Sequence, residues 1–258
     1  MAFTELQGIQ CYYEKSGSGK PVVLLHGWGQ NTEMMKAIAL FLEPHFTVYN
    51  LDLPGFGQSS PPLTPYSVED YAVFLKEFLD QFGVENPILI GHSFGCRIAL
   101  HYAHKHPVRK MVLTGAAGLR DKRTLDWYMK TYTYKAGKKI TSLPLIKDLP
   151  SVKQKVEEAA QKRGSEDYRN ATGVMRATFV KVVNDDVRPF LKEITPETLL
   201  VFGSNDQATP LSKGQEMEKL MPNAALVVFE GDDHYAYFHQ AQRFNLVLEA
   251  FLKEDYDD

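Results

Sequence analysis

The chain has 258 residues, 44% hydrophobic and 24% charged, with a formal net charge of −3. That length suits a single α/β domain carrying an insertion, and that composition suits a globular protein with a large core. The charge balance excludes a strong basic pull toward nucleic acid or an anionic membrane.

In chain order, "FTELQGIQCYYE" (3–14) predicts an antiparallel hairpin at a sheet edge. Strands are expected at 22–27, 46–52, 88–92, 110–116, 198–204 and 225–231. Most alternate too little with polar residues to be half-exposed, which fits strands covered on both faces. Amphipathic stretches at 32–43, 67–82, 94–106, 210–221 and 235–253 fall between them, with Pro210 read as the first residue of a helix capped by Thr209. This alternation predicts a mostly parallel sheet with helices on both sides.

Residues 119–190 break the pattern: no strand, and helical periodicity at 151–163 and 168–183. The segment has 16 Lys+Arg against 9 Asp+Glu, a net +7, which leaves 13 against 23, or −10, for the rest. The expected organisation is a core of 1–118 and 191–258 with 119–190 as a helical cap. Cys11 and Cys96 are too few for a disulfide framework and read as free thiols of a cytoplasmic protein. Residues 1–20 lack the apolar stretch of a signal peptide, and no segment approaches the roughly 20 apolar residues of a membrane span.

The chemistry starts at "GHSFG" (91–95), where a strand meets a helix. A serine on such a sharp turn projects its hydroxyl clear of the backbone, and the turn is so tight that residues two before and two after must lack side chains. Ser93 then lies near the free N–H groups of the helix that follows. A serine hydroxyl is a weak nucleophile and needs a base oriented by an acid. Among eight histidines, His234 in "FEGDDHYAYF" follows the last strand, with His239 as the second candidate. His101, His104 and His106 read as surface or packing residues, His26 as a loop brace, and His92 as directed away from Ser93. Asp206 in "VFGSNDQATP" lies between a strand and a helix, whereas Asp52 in "DLPGFGQS" reads as structural. "HGWG" (26–29) follows the first central strand, so the N–H of Trp28 can join that of Phe94 as an oxyanion hole.

Together, "HGWG", "DLPGFGQSS", "GHSFG", "GSNDQATP" and "GDDH" resemble the α/β-hydrolase superfamily along essentially the whole chain. The resemblance implies an eight-stranded, mostly parallel sheet with strand 2 antiparallel and a cap after strand 6. It implies Ser93 as nucleophile, Asp206 as acid, His234 as base, the amides of Trp28 and Phe94 as oxyanion hole, and neither cofactor nor metal. Cys96 stands where many relatives carry a further glycine. Serine at 93 disfavours the aspartate-nucleophile branches, and Gln30 and Asn31 after Gly29 depart from the HGxGPG of carbon–carbon hydrolases. Arg97, one turn after Ser93, is similar to a synthase/lyase branch acting on anionic substrates. Aromatic residues Trp127, Tyr128, Tyr132 and Phe179, with Met129, are candidate pocket walls.

The expected activity is hydrolysis of carboxylic esters of small to medium molecules through an acyl-enzyme on Ser93. The alternatives are carbon–carbon cleavage, thioester hydrolysis or elimination on the same triad, or a small-molecule receptor without turnover. The expected partner is a small-molecule ester. The sequence leaves monomer and homodimer open.

Overall fold

The computed structural model describes residues 2–120 and 166–256. Eight strands form one sheet: β1 (Ala2–Leu6), β2 (Ile9–Ser16), β3 (Lys20–Leu25), β4 (Phe46–Leu51), β5 (Ile88–His92), β6 (Lys110–Thr114), β7 (Glu197–Gly203) and β8 (Ala224–Phe229). Their spatial order is β1-β2-β4-β3-β5-β6-β7-β8. Only β2 runs antiparallel to its neighbours, pairing with β1 and β4, and every pair from β4 to β8 is parallel. The opening hairpin therefore sits at the edge, as the sequence predicts.

The near-continuous apolar runs have a direct cause. Val23, Leu25, Leu89, Met111, Leu113, Leu200 and Phe202 face one core, together with buried side chains of α2 (Val68–Gln81) and α3 (Phe94–Lys105). Their strand neighbours Val22, Leu24, Ile88, Ile90, Val112, Leu199 and Val201 face a second core, completed by α1 (Lys36–Leu42) and, later in the chain, by Phe244, Leu248 and Leu252. Alternate residues point to opposite faces, and both faces are covered, so neither can be polar. Helix α2 starts as a capping box: the Ser67 hydroxyl accepts from the Asp70 N–H and the Asp70 carboxylate from the Ser67 N–H.

Several expected elements are more broken than their periodicity suggests. The first helical stretch opens as a 3₁₀ turn, Thr32–Met35, before α1. The pattern at 168–183 divides into α4 (Glu166–Asn170) and α5 (Gly173–Val183), parted just before Gly173 at φ 49°. After α6 (Leu211–Leu220), the pattern at 235–253 divides at Gln240 into α7 (Ala236–His239) and α8 (Ala241–Leu252). Pro210 stands one position before the expected place, as N-cap of α6, because the Thr209 hydroxyl donates to Asp206 instead of capping the helix.

Residues 119–190 fall between β6 and β7. Their described part holds α4 and α5 and runs into a 3₁₀ turn, Arg188–Glu193. Helix α5 is tied to the core where the Thr178 hydroxyl accepts from the Tyr66 N–H, 3.1 Å. No described helix is long and apolar enough to cross a membrane.

Candidate active site

The carboxyl ends of β3, β5, β7 and β8 lie along one edge of the parallel sheet, and each releases a short loop carrying one candidate group. Ser93 links β5 to α3 with φ 48° and ψ −102°, a left-handed conformation rare for a residue with a Cβ. The glycines on either side explain how so sharp a turn fits. A Cβ on Gly95 would lie 2.0 Å from the Leu25 carbonyl oxygen, and one on Gly91 would lie 2.8 Å from the Cys96 nitrogen. The turn is pinned to β6, with the Ser93 N–H donating to the Thr114 carbonyl at 3.0 Å.

Asp206 follows β7 and is buried. Its Oδ1 accepts from the Ala208 and Thr209 N–H groups, each at 2.8 Å, and its Oδ2 from the Thr209 hydroxyl at 2.7 Å. The same Oδ2 is 2.7 Å from His234 Nδ1. Burial pushes the Asp206 carboxyl up, but the donors from His234 and Thr209 outweigh it and hold the pKa below the usual carboxylate range. Asp206 is therefore an anion held against Nδ1 of the His234 imidazole.

Trp28, Ser93, Phe94, Arg97, Phe179 and His234 all line one cavity of about 530 Å³. Phe94 is the first residue of α3, and Trp28 follows Gly27 in the loop after β3, so both main-chain amides lie at the end of the sheet that carries Ser93. The Trp28 ring packs edge-on against Phe94 at 5.4 Å and Phe179 at 5.0 Å between centroids. Arg97 is tethered, with Nη1 donating to the Asp185 carbonyl at 3.0 Å and lying 3.6 Å from its carboxylate. Arg120, Lys213 and Asp167 also line the cavity. Trp127, Tyr128, Met129 and Tyr132 lie outside the described residues.

The remaining sequence candidates fall elsewhere. His239 pairs with Asp232 at 2.9 Å and is half exposed. Asp52 is buried beneath the "DLPGFGQS" loop, accepting from the Thr32 and Gln58 N–H groups at 2.7 Å each. His26 braces that loop as read, its Nε2 accepting from the Leu53 N–H at 3.0 Å. Asp232, Asp233 and His239 are the one group of described residues close enough together to hold a cation, and their hydrogen bonds to one another, to Gln240 and to the Tyr235 N–H already account for the cluster.

Two neighbours escaped the sequence reading. Thr209 looked like a helix cap, yet its hydroxyl bonds Asp206 and lies 3.1 Å from His234 Nδ1. A hydroxyl three residues after the candidate acid, in the same polar loop, is the sequence signal by which it can be found. His92, expected to point away from Ser93, packs its ring against His234 at 4.8 Å.

A family model described as the alpha/beta hydrolase fold matches residues 20–241. A pimeloyl-[acyl-carrier protein] methyl ester esterase of Vibrio vulnificus is 27% identical, covering 93% of this chain and 97% of its own length. A 2-hydroxy-6-oxo-6-phenylhexa-2,4-dienoate hydrolase of Comamonas testosteroni is 28% identical, covering 97% and 93%. Among solved structures, an esterase from Exiguobacterium antarcticum superposes with a TM-score of 0.74 at 26% identity, covering 96% of this chain and 97% of that one. With its sheet order, its strand-end loops and a family match spanning most of its length, this chain belongs to the α/β-hydrolase fold family, a hydrolase enzyme family in which its relatives include esterases and a carbon–carbon bond hydrolase.

Proposed function

We propose that the protein hydrolyses carboxylic esters of small to medium molecules, with Ser93 as nucleophile, His234 as base and Asp206 as the acid that orients it. The observation that carries this reading is the His234–Asp206 hydrogen bond standing over the cavity that Ser93 also lines. Ser93 Oγ attacks the ester carbonyl and gives its proton to His234 Nε2. The carbonyl oxygen becomes an oxyanion held by the amides of Trp28 and Phe94. The C–O bond to the alcohol breaks, and His234 returns the proton to the departing alkoxide. Water, deprotonated by the same nitrogen, then releases the acid. Asp206 keeps the proton of neutral His234 on Nδ1, so Nε2 is free to accept.

Phe179 is proposed as an aromatic wall of the acyl pocket, with Trp127, Tyr128 and Tyr132 as further pocket residues and Arg97 as a cationic one. We read 119–190 as the cap that sets substrate choice. Free, buried Cys11 and Cys96 are in keeping with a cytoplasmic protein. The test is p-nitrophenyl acetate turnover with burst analysis, a chain-length series, and fluorophosphonate labelling. Labelling at Ser93 and turnover that falls with acyl size are expected; the absence of both labelling and ester turnover overturns the reading.

A second reading, carbon–carbon bond hydrolysis on the same residues, is favoured by the Comamonas testosteroni relative. Loss of the chromophore of a 2-hydroxy-6-oxo-dienoate, faster than any ester is cleaved, would replace the first reading with this one.

A further inference from the structure

His92 stands immediately before Ser93 and is fully buried. Its ring lies between two loops of the site. On one side Nε2 is 3.1 Å from the main-chain oxygen of His234. On the other, Nδ1 is 3.1 Å from Oε1 of Gln30, and that same oxygen accepts the Gly27 N–H at 2.9 Å. A Cβ on Gly27 would come within 2.8 Å of both Gln30 Oε1 and His92 Nδ1, so the loop before Trp28 rests directly on this ring. Contacts to the rings of His234, Tyr235 and Tyr237, at centroid distances of 4.8, 5.3 and 4.8 Å, hold it in place.

Burial, followed by the neighbouring His234, drives the His92 pKa down to about 3. At working pH the ring is neutral and owns one N–H, yet two oxygens face it. Gln30 Oε1 already accepts a hydrogen bond from the Gly27 N–H. Leaving a buried acceptor unmade costs more than denying a second donor to one already bonded. That asymmetry assigns the proton to Nε2, where it bonds the His234 carbonyl.

We propose that His92 is a positioning residue: its Nε2–H holds the main chain of His234 while the Gly27–Gln30 loop packs against the opposite edge of its ring. One ring thereby sets the spacing between the loop of the base and the loop of the Trp28 amide. The inference rests on the roles proposed above for Ser93, His234 and that amide. A misplacement of about 1 Å in such a site lowers rate by about a hundredfold, so the spacing controls turnover more than substrate affinity.

The experiment pairs two amide substitutions with a spectrum of the wild-type protein. In His92→Gln the amide N–H reaches roughly where Nε2 was; in His92→Asn it reaches only the Nδ1 position. With p-nitrophenyl acetate, His92→Asn is expected to lower kcat by about ten- to a hundredfold, with KM within about twofold. His92→Gln is expected to recover most of that loss. Gln30→Ala should lower kcat by a smaller factor and add little to His92→Asn. In ¹⁵N spectra of the wild type, His92 should show a protonated Nε2 and a bare Nδ1 from pH 5 to 9. Equal kcat in the Asn and Gln variants, or loss of thermal stability with kcat unchanged, overturns the positioning role, and a protonated Nδ1 overturns the tautomer. If either variant fails to fold, the wild-type spectrum and Gln30→Ala still decide. Should Ser93→Ala retain esterase turnover, the functional reading falls while the tautomer stands, so the two failures are distinguishable.

Discussion

Two histidines in the stretch after β8 each place Nδ1 on an aspartate, His234 on Asp206 at 2.7 Å and His239 on Asp232 at 2.9 Å. Bond length does not separate them; surroundings do. The side chains of His234 and Asp206 are 14% and 0% exposed, those of His239 and Asp232 47% and 9%. His234 lines the cavity with Ser93, and His239 is not among the residues around it. Asp232 and His239 lie seven positions apart, so a short stretch of chain can bring them together. Asp206 and His234 are 28 positions apart, on loops after different strands, and are held together by the sheet. A histidine–carboxylate pair becomes a candidate for proton transfer when the fold desolvates it and sets it at the wall of a cavity.

The largest effects should separate these pairs most sharply. Ser93→Ala and His234→Ala are each expected to lower kcat on p-nitrophenyl acetate by about 10⁶-fold, whereas His239→Ala leaves it within about twofold. The loss from Ser93→Ala and His234→Ala together should scarcely exceed either alone. Additive losses in kcat would break the idea that they act as a unit.

Next in size, Asp206→Asn should reduce kcat by about 10³- to 10⁴-fold, because an amide can donate to Nδ1 and favour the tautomer that leaves Nε2 protonated. The matching Asp232→Asn should leave kcat unchanged. A comparable loss from both would mean that burial does not distinguish them.

A smaller effect follows from the cations Arg97, Arg120 and Lys213 around the cavity, opposed there by Asp167. A hemisuccinate-type ester should show a higher kcat/KM than its neutral isostere at low salt. That advantage should shrink by roughly two- to tenfold as salt rises, since exposed charges are screened beyond about 8–10 Å. A ratio flat in salt would leave these side chains as solvated neighbours only.

The smallest effect concerns the His239–Asp232 pair alone. The hydrogen bond that His239 donates to Asp232, working against a little desolvation, raises the His239 pKa. A raised folded-state pKa stabilises fully below the ordinary histidine range, and that contribution is lost as pH rises through the raised value. Tm should therefore decline slightly between about pH 6 and 8, and His239→Gln should flatten the decline. An unchanged slope would show that solvent screens the pair completely.

Much of the fold was legible because both faces of the sheet are covered, which writes each parallel strand as a short apolar run ended by glycine or polar residues. The loops carrying Ser93, Asp206 and His234 could be found for the same reason: each begins where such a run stops. Periodicity could not see the break at Gln240 or the one before Gly173, since apolar spacing continues across both and only backbone geometry records the interruption. Thr209 and His92 were missed because their partners lie across the fold or in competing local roles. A threonine before a proline reads as a cap until a buried carboxylate claims its hydroxyl, and the register of β5 alone does not reveal that the His92 ring meets the loops of Gly27 and His234.

The left-handed backbone of Ser93 has a consequence for how this protein can evolve. Holding a residue with a Cβ there costs on the order of 1–3 kcal/mol, a sizeable part of the total stability of a typical domain. Glycine at that position would release the strain, so Ser93→Gly should raise Tm as it abolishes turnover. Drift alone would then favour the inert protein, and the serine persists in a lineage only while selection acts on its chemistry.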